Sequence, residues 1–344
     1  MTVAGSGGQG RPRNFLRRLA FAAANLLIPL HTGLILAYCC LRWLGGADLW
    51  FVDALGYVLP WILAPTLLLL PAAIYRRSPL LIALAALPAI LFLITYVNLF
   101  LPRLPLQTSG PGFSVMTYNV CWRNTDEEAV EAAIRAQAPQ VLVLRELEPP
   151  MAEALQERLA DLYPYRAIEP GCGLFTSFPI LDYEAFRLSD DAYDFTQRLV
   201  LNVEGRPVTF LSVHPIAPSI QGFHPFGLPL GIPTGLASRG RDADIRVLLQ
   251  LLEEMEGPLV VLGDFNLSDQ HELYAPLTDS LVDSHRESGW GMGFTFSPFG
   301  GPGLPMWRID YVLHSRDLVS LSATVGDYGA SDHRPLTATL AFRQ

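Results

Sequence analysis

Three long uncharged runs fill the first third of the chain and restrict what it can fold into. They cover residues 19–41, 54–75 and 80–101. A helix needs about 20 apolar residues to cross the hydrocarbon core of a bilayer, and each run supplies that length. Because three such runs in series are rare in water-soluble proteins, they predict a three-helix transmembrane region over residues 19–101.

Arginine placement predicts how this region is oriented. Four arginines lie between residues 11 and 18, and Arg76 and Arg77 separate the second run from the third, whereas the first connection holds one arginine and two acids. Since arginine-rich flanks stay in the cytoplasm, we expect a cytoplasmic tail over residues 1–18 and an extracytoplasmic C-terminal part. The chain is then a multi-pass plasma-membrane protein. A cleaved signal peptide is the alternative, with a lipoprotein-like box at residues 36–39, but Tyr38 is large for its position and two more runs follow.

The net charge differs between the two parts of the chain. Residues 1–110 contain eight arginines and two acids, a net charge of +6, while residues 111–344 contain 16 arginines and 31 acids, a net charge of −15. Nucleic-acid binding needs a basic surface to attract phosphates, so the acidic part disfavours a general nucleic-acid binder. A locally basic cleft would still permit an exported nuclease. Residues 102–112, which span the boundary between the two parts, are rich in proline and glycine and predict a linker.

Strand and helix patterns alternate through residues 113–344. Predicted strands cover residues 113–120, 140–146, 172–177, 199–203, 207–214, 259–262, 308–313 and 336–342, and predicted helices cover residues 126–137, 151–162 and 242–256. This alternation predicts a layered α/β domain over residues 113–344.

The run Leu259–Leu262 is followed by residues that suggest a site. Four apolar residues in a row predict a strand buried on both faces, and Gly263 would let the backbone turn at its end. Asp264 and Asn266 alternate, so an extended chain would project both to one side. A carboxylate and an amide together at a sheet edge can hold a water molecule and a phosphate oxygen.

Six short motifs occur in a recognisable order in this part of the chain. They are Tyr118-Asn119, Arg145-Glu146, Ser212-Val213-His214, Gly263-Asp264-Phe265-Asn266, Arg308-Ile309-Asp310-Tyr311 and Ser331-Asp332-His333-Arg334-Pro335. Each motif is weak alone, but in this order the sequence resembles the endonuclease/exonuclease/phosphatase superfamily, the DNase I-like proteins, over residues 113–344. The whole chain resembles the membrane-anchored bacterial members. The resemblance implies a four-layer α/β sandwich, in which two packed mixed sheets are flanked by helices.

The resemblance also implies a divalent metal site. Glu146 would bind Mg²⁺, or Mn²⁺, as a hard oxygen ligand. Asn119 would orient that ion or a phosphate oxygen, and Asp332 would add to the same region. Arg145 departs from the family, which usually has glutamine before the metal-binding glutamate, so we expect the tuning of this site to differ.

Hydrolysis of a phosphate ester further needs an activated water and positive charge near the phosphate. The resemblance assigns water activation to Asp264 and contact with a phosphate oxygen to Asn266. It places His333 on the scissile phosphate, with Asp310 hydrogen-bonded to it to fix the tautomer, and makes His214 a second donor. The sequence leaves open which of these groups is the base and which only positions the substrate.

Two further features have more than one interpretation. Residues 216–240 form a longer loop than close relatives have, and its apolar part, residues 223–230, could dip into a membrane interface or simply pack. Cys121 and Cys172 could pair in an exported domain or remain free.

These observations favour a membrane-anchored, metal-dependent phosphoesterase that acts on a phosphodiester or phosphomonoester outside the cytoplasm. Tethering near the bilayer suggests a phospholipid head group as the substrate, and an exported DNA or RNA nuclease is the alternative. A catalytically inactive scaffold is disfavoured because the acid, amide and histidine set is intact. A transporter with a sensory domain is disfavoured because the three runs hold no embedded charge. No protein partner is inferred.

Overall fold

The computed structural model describes residues 10–46, 49–103, 108–223, 232–301 and 303–344. The chain divides into two compact units. The first comprises Met1–Val52 and Val58–Asn98, and the second comprises Asp53–Tyr57 and Leu99–Gln344. The second unit is therefore built from two separate stretches of chain, and the shorter one overlaps the predicted transmembrane region.

The N-terminal helices are α1 (Gly10–Gly45), α2 (Trp50–Leu63), α3 (Thr66–Tyr75) and α4 (Pro79–Tyr96), followed by a 3₁₀ turn at Val97–Phe100. Helices α1, α3 and α4 share a buried cluster of small and branched side chains: Ala24, Ile28, Ala73, Leu81 and Ala85. Alanine at these contacts lets the helix backbones approach closely.

The predicted second span is broken in the structure. Among the described residues, Arg17–Gly45 and Pro79–Phe100 are long and apolar enough to cross a membrane, whereas α2 and α3 reach the required length only together and meet at a 44° bend. Pro65 lies at this bend and has no N–H to donate into α2, which explains why the helix ends there. The described part of the chain thus has two helices that could cross a membrane, or three crossings if the bent pair counts as one.

Two six-stranded mixed sheets form the body of the second unit. The first sheet has the order β13-β14-β1-β2-β4-β3, and its strands are β1 (Phe113–Asn119), β2 (Val141–Leu147), β3 (Tyr165–Glu169), β4 (Gly171–Thr176), β13 (Leu318–Val325) and β14 (Leu336–Phe342). The second has the order β11-β12-β10-β7-β6-β5, and its strands are β5 (Ile180–Phe186), β6 (Thr196–Val203), β7 (Arg206–Val213), β10 (Leu259–Asp264), β11 (Val282–Asp283) and β12 (Asp310–His314). A separate hairpin pairs β8 (Ser219–Phe223) with β9 (Ile232–Ala237).

Helices cover the outer faces of both sheets. The helices of this unit are α5 (Glu127–Gln137), α6 (Pro149–Arg158), α7 (Arg239–Glu253), α8 (Tyr274–Ser280) and α9 (Ser284–Ser288). In β1, Val115 faces the core between the sheets, while Met116 packs with residues of α5 and α6. In β10, Val260 and Val261 divide in the same way between that core and the cluster containing α7 and α8. The four-layer α/β sandwich is confirmed.

The structure adds strands where the sequence predicted none, mainly at the sheet edges. Strands β3 and β5 are edge strands with few buried residues, so they lack the apolar pattern that marks a central strand. Strand β13 is the other edge strand of the first sheet, where it pairs with β14.

Three predicted connecting features can be compared with the structure. The loop predicted over residues 216–240 contains β8 and β9, while residues 224–231 lie outside the described residues. Part of the predicted linker pairs with the end of the chain, since the Ser109 N–H donates to the Phe342 carbonyl at 3.0 Å. Cys121 and Cys172 are both free.

Candidate functional site

Polar side chains at the ends of the central strands meet at one edge of the two sheets. Val115 of β1 and Val260 of β10 face the core between the sheets, and alternation along a strand places Asn119 and Asp264 on the same inner face. Asp310 begins β12 and pairs directly with Asp264 across the antiparallel ladder. All three polar side chains are buried.

Glu146 reaches this edge through an irregularity in β2. Val141 and Val143 face the core between the sheets, so strict alternation would send Arg145 to that side and Glu146 towards the helices. The register with β4 shifts between Arg145 and Leu147, and Glu146 has a left-handed φ of 54°. A β-bulge of this kind re-aims side chains, and here it turns the Glu146 carboxylate towards the site.

Asn119 joins two carboxylates. Its Nδ2 donates to Glu146 Oε1 at 2.9 Å and to Asp264 Oδ2 at 3.1 Å, while its Oδ1 accepts the backbone N–H of Cys121. The other oxygen of Glu146 accepts the backbone N–H of Trp122 at 3.0 Å. Asn119 therefore fixes both carboxylates and presents an NH₂ group, not an oxygen, to the site.

Asp310 and His333 form a buried pair beside Asp264. His333 Nδ1 lies 2.9 Å from Asp310 Oδ2, and its Nε2 lies 3.6 Å from Asp264 Oδ2. Burial alone would lower the pKa of His333, but the carboxylates of Asp310 and Asp264 outweigh it and raise that pKa to about 10. Burial raises the pKa of Asp264 to about 6, and Asp310 adds to the rise while His333 opposes it. His333 is therefore an imidazolium at neutral pH.

His214 forms a second pair of the same kind on the other side of Asp264. Its Nδ1 donates to Asp194 Oδ2 at 2.6 Å, and its Nε2 lies 3.7 Å from Asp264 Oδ2 and 3.9 Å from Glu146 Oε1. Burial would lower the pKa of His214, but the hydrogen bond with Asp194 and the negative charges of Asp264 and Asp194 together outweigh it and raise the pKa. Burial would raise the pKa of Asp194, but the hydrogen bond and charge of His214, together with Arg145, outweigh it and lower that pKa.

Asp194 is the site residue that the sequence patterns missed. It lies between β5 and β6, a few residues after Asp190 and Asp191, and nothing in its local sequence distinguishes it from those two acids. A structural signal exists at Gly171, which has a φ of 80° and at which a Cβ would overlap the Asp194 carboxylate. A glycine at that point leaves room for the acid.

Arg145, the departure from the family pattern, supports this second pair. It is fully buried and donates to the Phe195 carbonyl at 2.9 Å and to Ser212 Oγ at 3.1 Å. Its Nη2 lies 3.4 Å from Asp194 Oδ2. The arginine therefore holds the segment that carries Asp194 and does not itself point to Glu146.

The structure corrects the expected geometry of Asn266. Strand β10 ends at Asp264, and Asn266 has a left-handed φ of 51°, so the prediction that both project from one extended chain is wrong. The Asn266 N–H donates to Asp264 Oδ1 at 2.9 Å, and its side-chain amide donates to the Pro215 carbonyl at 3.1 Å. An aspartate that bonds the backbone two residues on favours a turn over a strand.

Gly263 has a different role from the one expected. It lies inside β10, paired with Val213 on one side and Tyr311 on the other. Its φ is 153°, and a Cβ there would overlap the carbonyl oxygen of Val213. The glycine is needed for the close approach of β7, and it does not turn the chain.

Asp332 is set apart from the other predicted site residues. Its backbone carbonyl accepts the N–H of Ser297 at 2.9 Å, and its charge adds to the raised pKa of His333. Among the described residues, two groups of side chains have ligand atoms close enough together to hold a metal ion, and the Asp332 carboxylate belongs to neither. The predicted residues that do come together are Asn119, Glu146, His214, Asp264, Asn266, Asp310 and His333.

Two groups of side chains in the described part of the chain could hold a metal ion. They are Glu146 with His214 and Asp264, and Asp264 with Asp310 and His333, and in each the ligand atoms lie within 4.8 Å of one another. A histidine must be neutral to bind a metal, and the raised pKa values of both histidines favour the charged form. The carboxylate oxygens remain, and these suit Mg²⁺ or Mn²⁺. Glu146, whose side chain is 25% exposed, leaves room for the waters that Mg²⁺ retains.

A cavity of about 280 Å³ opens beside Glu146 and His214. Trp122, Tyr193 and Glu148 line it together with the site residues. The Nε2 of His214 is buried and has no hydrogen-bond partner among the described residues. That atom, 3.9 Å from Glu146 Oε1 and 3.7 Å from Asp264 Oδ2, has hydrogen-bonding capacity that no described residue uses.

The fold is also found in proteins of known structure. The chain is similar to an endonuclease/exonuclease/phosphatase from Bacteroides vulgatus (16% identity, 68% of this chain and 100% of that chain, TM-score 0.52). It is similar to truncated TDP2 from Caenorhabditis elegans (19% identity, 68% and 100%, TM-score 0.53). It is also similar to a functionally unknown conserved protein from Enterococcus faecalis V583 (19% identity, 67% and 100%, TM-score 0.52). No curated protein matches the chain.

A family model shows more than these likenesses of fold. The model described as the Endonuclease/Exonuclease/phosphatase family matches residues 116–333. That range contains Asn119, Glu146, Asp194, Asp264 and His333, and it covers more than half of the chain. The chain belongs to the Endonuclease/Exonuclease/phosphatase family, whose members are hydrolases that act on phosphate esters.

Proposed function

We propose that this chain is a membrane-anchored phosphoesterase that uses Mg²⁺ or Mn²⁺ and acts outside the cytoplasm. The catalytic part of the proposal rests on the position of Asp264 between two histidines, whose Nε2 atoms lie 3.7 Å (His214) and 3.6 Å (His333) from Asp264 Oδ2. A buried carboxylate flanked by two cationic donors can accept a proton from water while the donors hold phosphate oxygens.

Each side chain then has one task. Asp264 accepts the proton of the attacking water, and its raised pKa makes it a stronger base than an ordinary aspartate. His333 and His214 donate from Nε2 to the phosphate oxygens, where negative charge develops. Glu146 would hold the divalent ion, which when bound supplies further charge neutralisation. Asn119 keeps the carboxylates of Glu146 and Asp264 in place.

The membrane part of the proposal is supported by the two stretches of chain that make up the second unit. Asp53–Tyr57 and Leu99–Gln344 belong to one compact unit, so an even number of membrane crossings separates Tyr57 from Leu99. Helix α4 supplies one crossing, and residues 58–75 of the bent pair meet the lower limit of about 17 residues for another. With α1 this makes three crossings, and the arginine bias puts the second unit outside. A reporter fused after Gln344 that is active only in the cytoplasm would contradict this orientation.

The substrate that we propose is a phospholipid head group. The cavity of about 280 Å³ suits a small group attached to the phosphate, since pockets for drug-sized ligands measure about 300–1,000 Å³. The net charge of −15 over residues 111–344 repels long nucleic acids. An anchored enzyme also meets head groups at a high local concentration.

An exported nuclease is the second candidate, and one observation favours it. Trp122 and Tyr193 line the cavity and are 58% and 82% exposed. Exposed aromatic side chains beside a phosphate site can stack on unpaired bases.

The test uses the full chain in detergent with bis(p-nitrophenyl) phosphate and Mg²⁺ or Mn²⁺. We expect metal-dependent turnover that falls about 10²- to 10⁴-fold in Asp264→Asn and in His333→Gln. Asp279→Asn, which changes an exposed acid, is the matched control and should leave turnover unchanged.

Natural substrates are then compared under the same conditions. Phospholipid vesicles, single-stranded DNA and RNA are incubated with the wild type and with Asp264→Asn. Faster turnover of the vesicles supports the head-group proposal, and faster turnover of DNA or RNA replaces it with the nuclease. An absence of metal-dependent turnover on every substrate would leave the inactive scaffold as the explanation.

A further inference from the structure

A buried polar cluster lies directly behind Asn266 in the second unit. Its members come from two distant parts of the chain: Asp53 and Tyr57 from the short stretch, and Arg241 and His271 from the long one. All four are buried, and Arg241 is 0% exposed.

Arg241 is the centre of this cluster. Its Nη2 donates to Asp53 Oδ2 at 2.8 Å and to Asp242 Oδ1 at 2.7 Å, and it lies 2.9 Å from His271 Nε2. Its Nη1 donates to the Tyr57 hydroxyl at 2.6 Å. The guanidinium thus holds the Tyr57 hydroxyl group in one orientation.

The cluster continues into the site through hydrogen bonds. The Tyr57 hydroxyl donates to the Asn266 carbonyl at 2.7 Å, and Arg241 Nη1 approaches the same carbonyl at 3.4 Å. The Asn266 N–H in turn donates to Asp264 Oδ1. Tyr57 is therefore connected through Asn266, by two hydrogen bonds, to the carboxylate of Asp264, which we assign as the base.

We propose that Tyr57 and Arg241 are positioning residues for the site, which hold Asn266 in its left-handed conformation and so keep the Asp264 carboxylate in its reactive orientation. This inference rests on the proposed function for its effect on turnover. Its structural effect on Asn266 does not depend on which ester the site cleaves.

Two physical considerations favour positioning over simple stability. A left-handed φ is unfavourable for residues other than glycine, and although asparagine adopts it more readily than most, contacts with its neighbours stabilise it there. A buried ion pair such as Arg241 with Asp53 adds little stability compared with apolar packing. A cluster of this kind is better explained by the geometry that it imposes on the Asn266 carbonyl.

The short stretch is also fitted closely against the loop that follows the site. A Cβ at Gly56 would lie 3.3 Å from Ser268 Oγ, and the Tyr57 ring packs on Trp307 with 5.1 Å between ring centroids. Removing only the Tyr57 hydroxyl keeps this packing, so Tyr57→Phe tests the hydrogen bond alone.

The experiment compares Tyr57→Phe with Tyr163→Phe in the full chain in detergent. Tyr163 is a buried tyrosine whose hydroxyl has no hydrogen-bond partner in the described structure, so it controls for loss of a buried hydroxyl. Amide hydrogen exchange of residues 264–268 is measured together with kcat and KM for bis(p-nitrophenyl) phosphate. In Tyr57→Phe we expect exchange at Asn266 to quicken by about fivefold or more and kcat to fall about 10- to 100-fold.

The KM should change less than twofold, because Tyr57 does not line the cavity. Unchanged exchange at Asn266 would overturn the inference whatever happens to kcat, and so would a rise in KM with kcat preserved. If the wild type does not turn over the probe, the proposed function fails, and the exchange comparison still decides whether Tyr57 holds Asn266.

Discussion

Asp310 and Asp194 each orient one histidine of the site, His333 and His214 respectively. Each carboxylate accepts the Nδ1–H of its histidine and leaves Nε2 facing Asp264. A histidine held in this way has one tautomer when neutral and favours the charged form. The charged form suits a side chain that donates hydrogen bonds to phosphate oxygens. Asp264 lies between these two histidines. Burial disfavours its charged form and raises its pKa.

Replacing Asp310 by asparagine tests the first of these pairs. Asp310→Asn keeps the shape of a fully buried side chain but removes the charge that stabilises the His333 imidazolium. We expect kcat for bis(p-nitrophenyl) phosphate to fall about 10³- to 10⁴-fold, as when the acid behind a catalytic histidine is replaced. Asp317→Asn, at an exposed position, should leave kcat unchanged. Retention of more than a tenth of wild-type kcat would contradict the assigned role of Asp310.

The pH dependence of turnover follows from the same residues. Asp264 must be ionised to accept a proton, and His333 and His214 must both be protonated to donate from Nε2, so activity should rise through a pH of about 6 and be lost by a pH of about 10. A bound cation favours the ionised carboxylate and moves the rising limb to lower pH. The measurement is kcat/KM from pH 4 to 11 at saturating Mg²⁺. A profile that still rises steeply between pH 8 and 9 would be inconsistent with Asp264 as the base.

At the scale of the elements, the absence of a side chain at Gly263 lets β10 lie close to β7. The carbonyl of Val213 in β7 occupies the space that a Cβ at Gly263 would need. This contact brings Asp264, the next residue, beside His214, which follows Val213. The register of the parallel pair β7 and β10 therefore sets the distance between Asp264, the proposed base, and His214, which would donate a hydrogen bond to the phosphate.

Gly263→Ala measures the importance of this approach. We expect a loss of unfolding free energy of about 3 kcal/mol or more, because the neighbouring atom is backbone and cannot move aside. Gly257→Ala is the matched control, since its φ is 81° but nothing lies within 4 Å of the added Cβ, and it should cost about 1–2 kcal/mol. Thermal unfolding of both variants gives the comparison, and equal losses would show that close approach at Gly263 is unimportant.

The sequence predicted the central elements because their signals are local. Strands such as Leu259–Asp264 show unbroken apolar runs, and the acid or amide at the end of each run marked Asn119, Glu146 and Asp264. The partners of those residues were harder to predict. Asp194 has no local signal because its importance depends on His214, twenty residues away. The turn at Asn266 was missed because an extended chain was assumed beyond the end of β10.

At the scale of the whole molecule, the second unit also contains a buried ion pair outside the site itself. Arg308 Nη1 contacts Asp283 Oδ2 at 2.7 Å, and the Tyr274 hydroxyl donates to the same oxygen at 2.6 Å. Burial would raise the pKa of Asp283, but Arg308 and the hydrogen bond from Tyr274 together outweigh it and lower that pKa to about 2. The arginine of the Arg308-Ile309-Asp310-Tyr311 motif thus pairs with an acid and lies behind the strand that carries Asp310.

Acid should weaken this unit through Asp283. The folded-state pKa of about 2 lies below the ordinary value, so the pair stabilises the fold fully above about pH 4 and loses that contribution as the pH falls towards 2. We expect about 2 kcal/mol of unfolding free energy to disappear over this window. Denaturant unfolding between pH 2 and 6 gives the measurement. Asp283→Asn should be less stable at pH 6 and show a flatter pH dependence than Asp279→Asn, and parallel curves would contradict the assignment.

The two-part origin of the second unit has a consequence for how the protein is made. Asp53 and Arg241 are 188 residues apart in the chain, and ribosomes add roughly 5–20 residues each second. Asp53 and Tyr57 therefore wait roughly 10–40 s after their own synthesis before Arg241 exists to receive them. During that interval the first stretch has already left the ribosome, and the site behind Asn266 has yet to be translated. The cluster behind Asn266 can form only after residues 241–271 fold back onto Asp53–Tyr57, so the positioning that we propose comes late in synthesis.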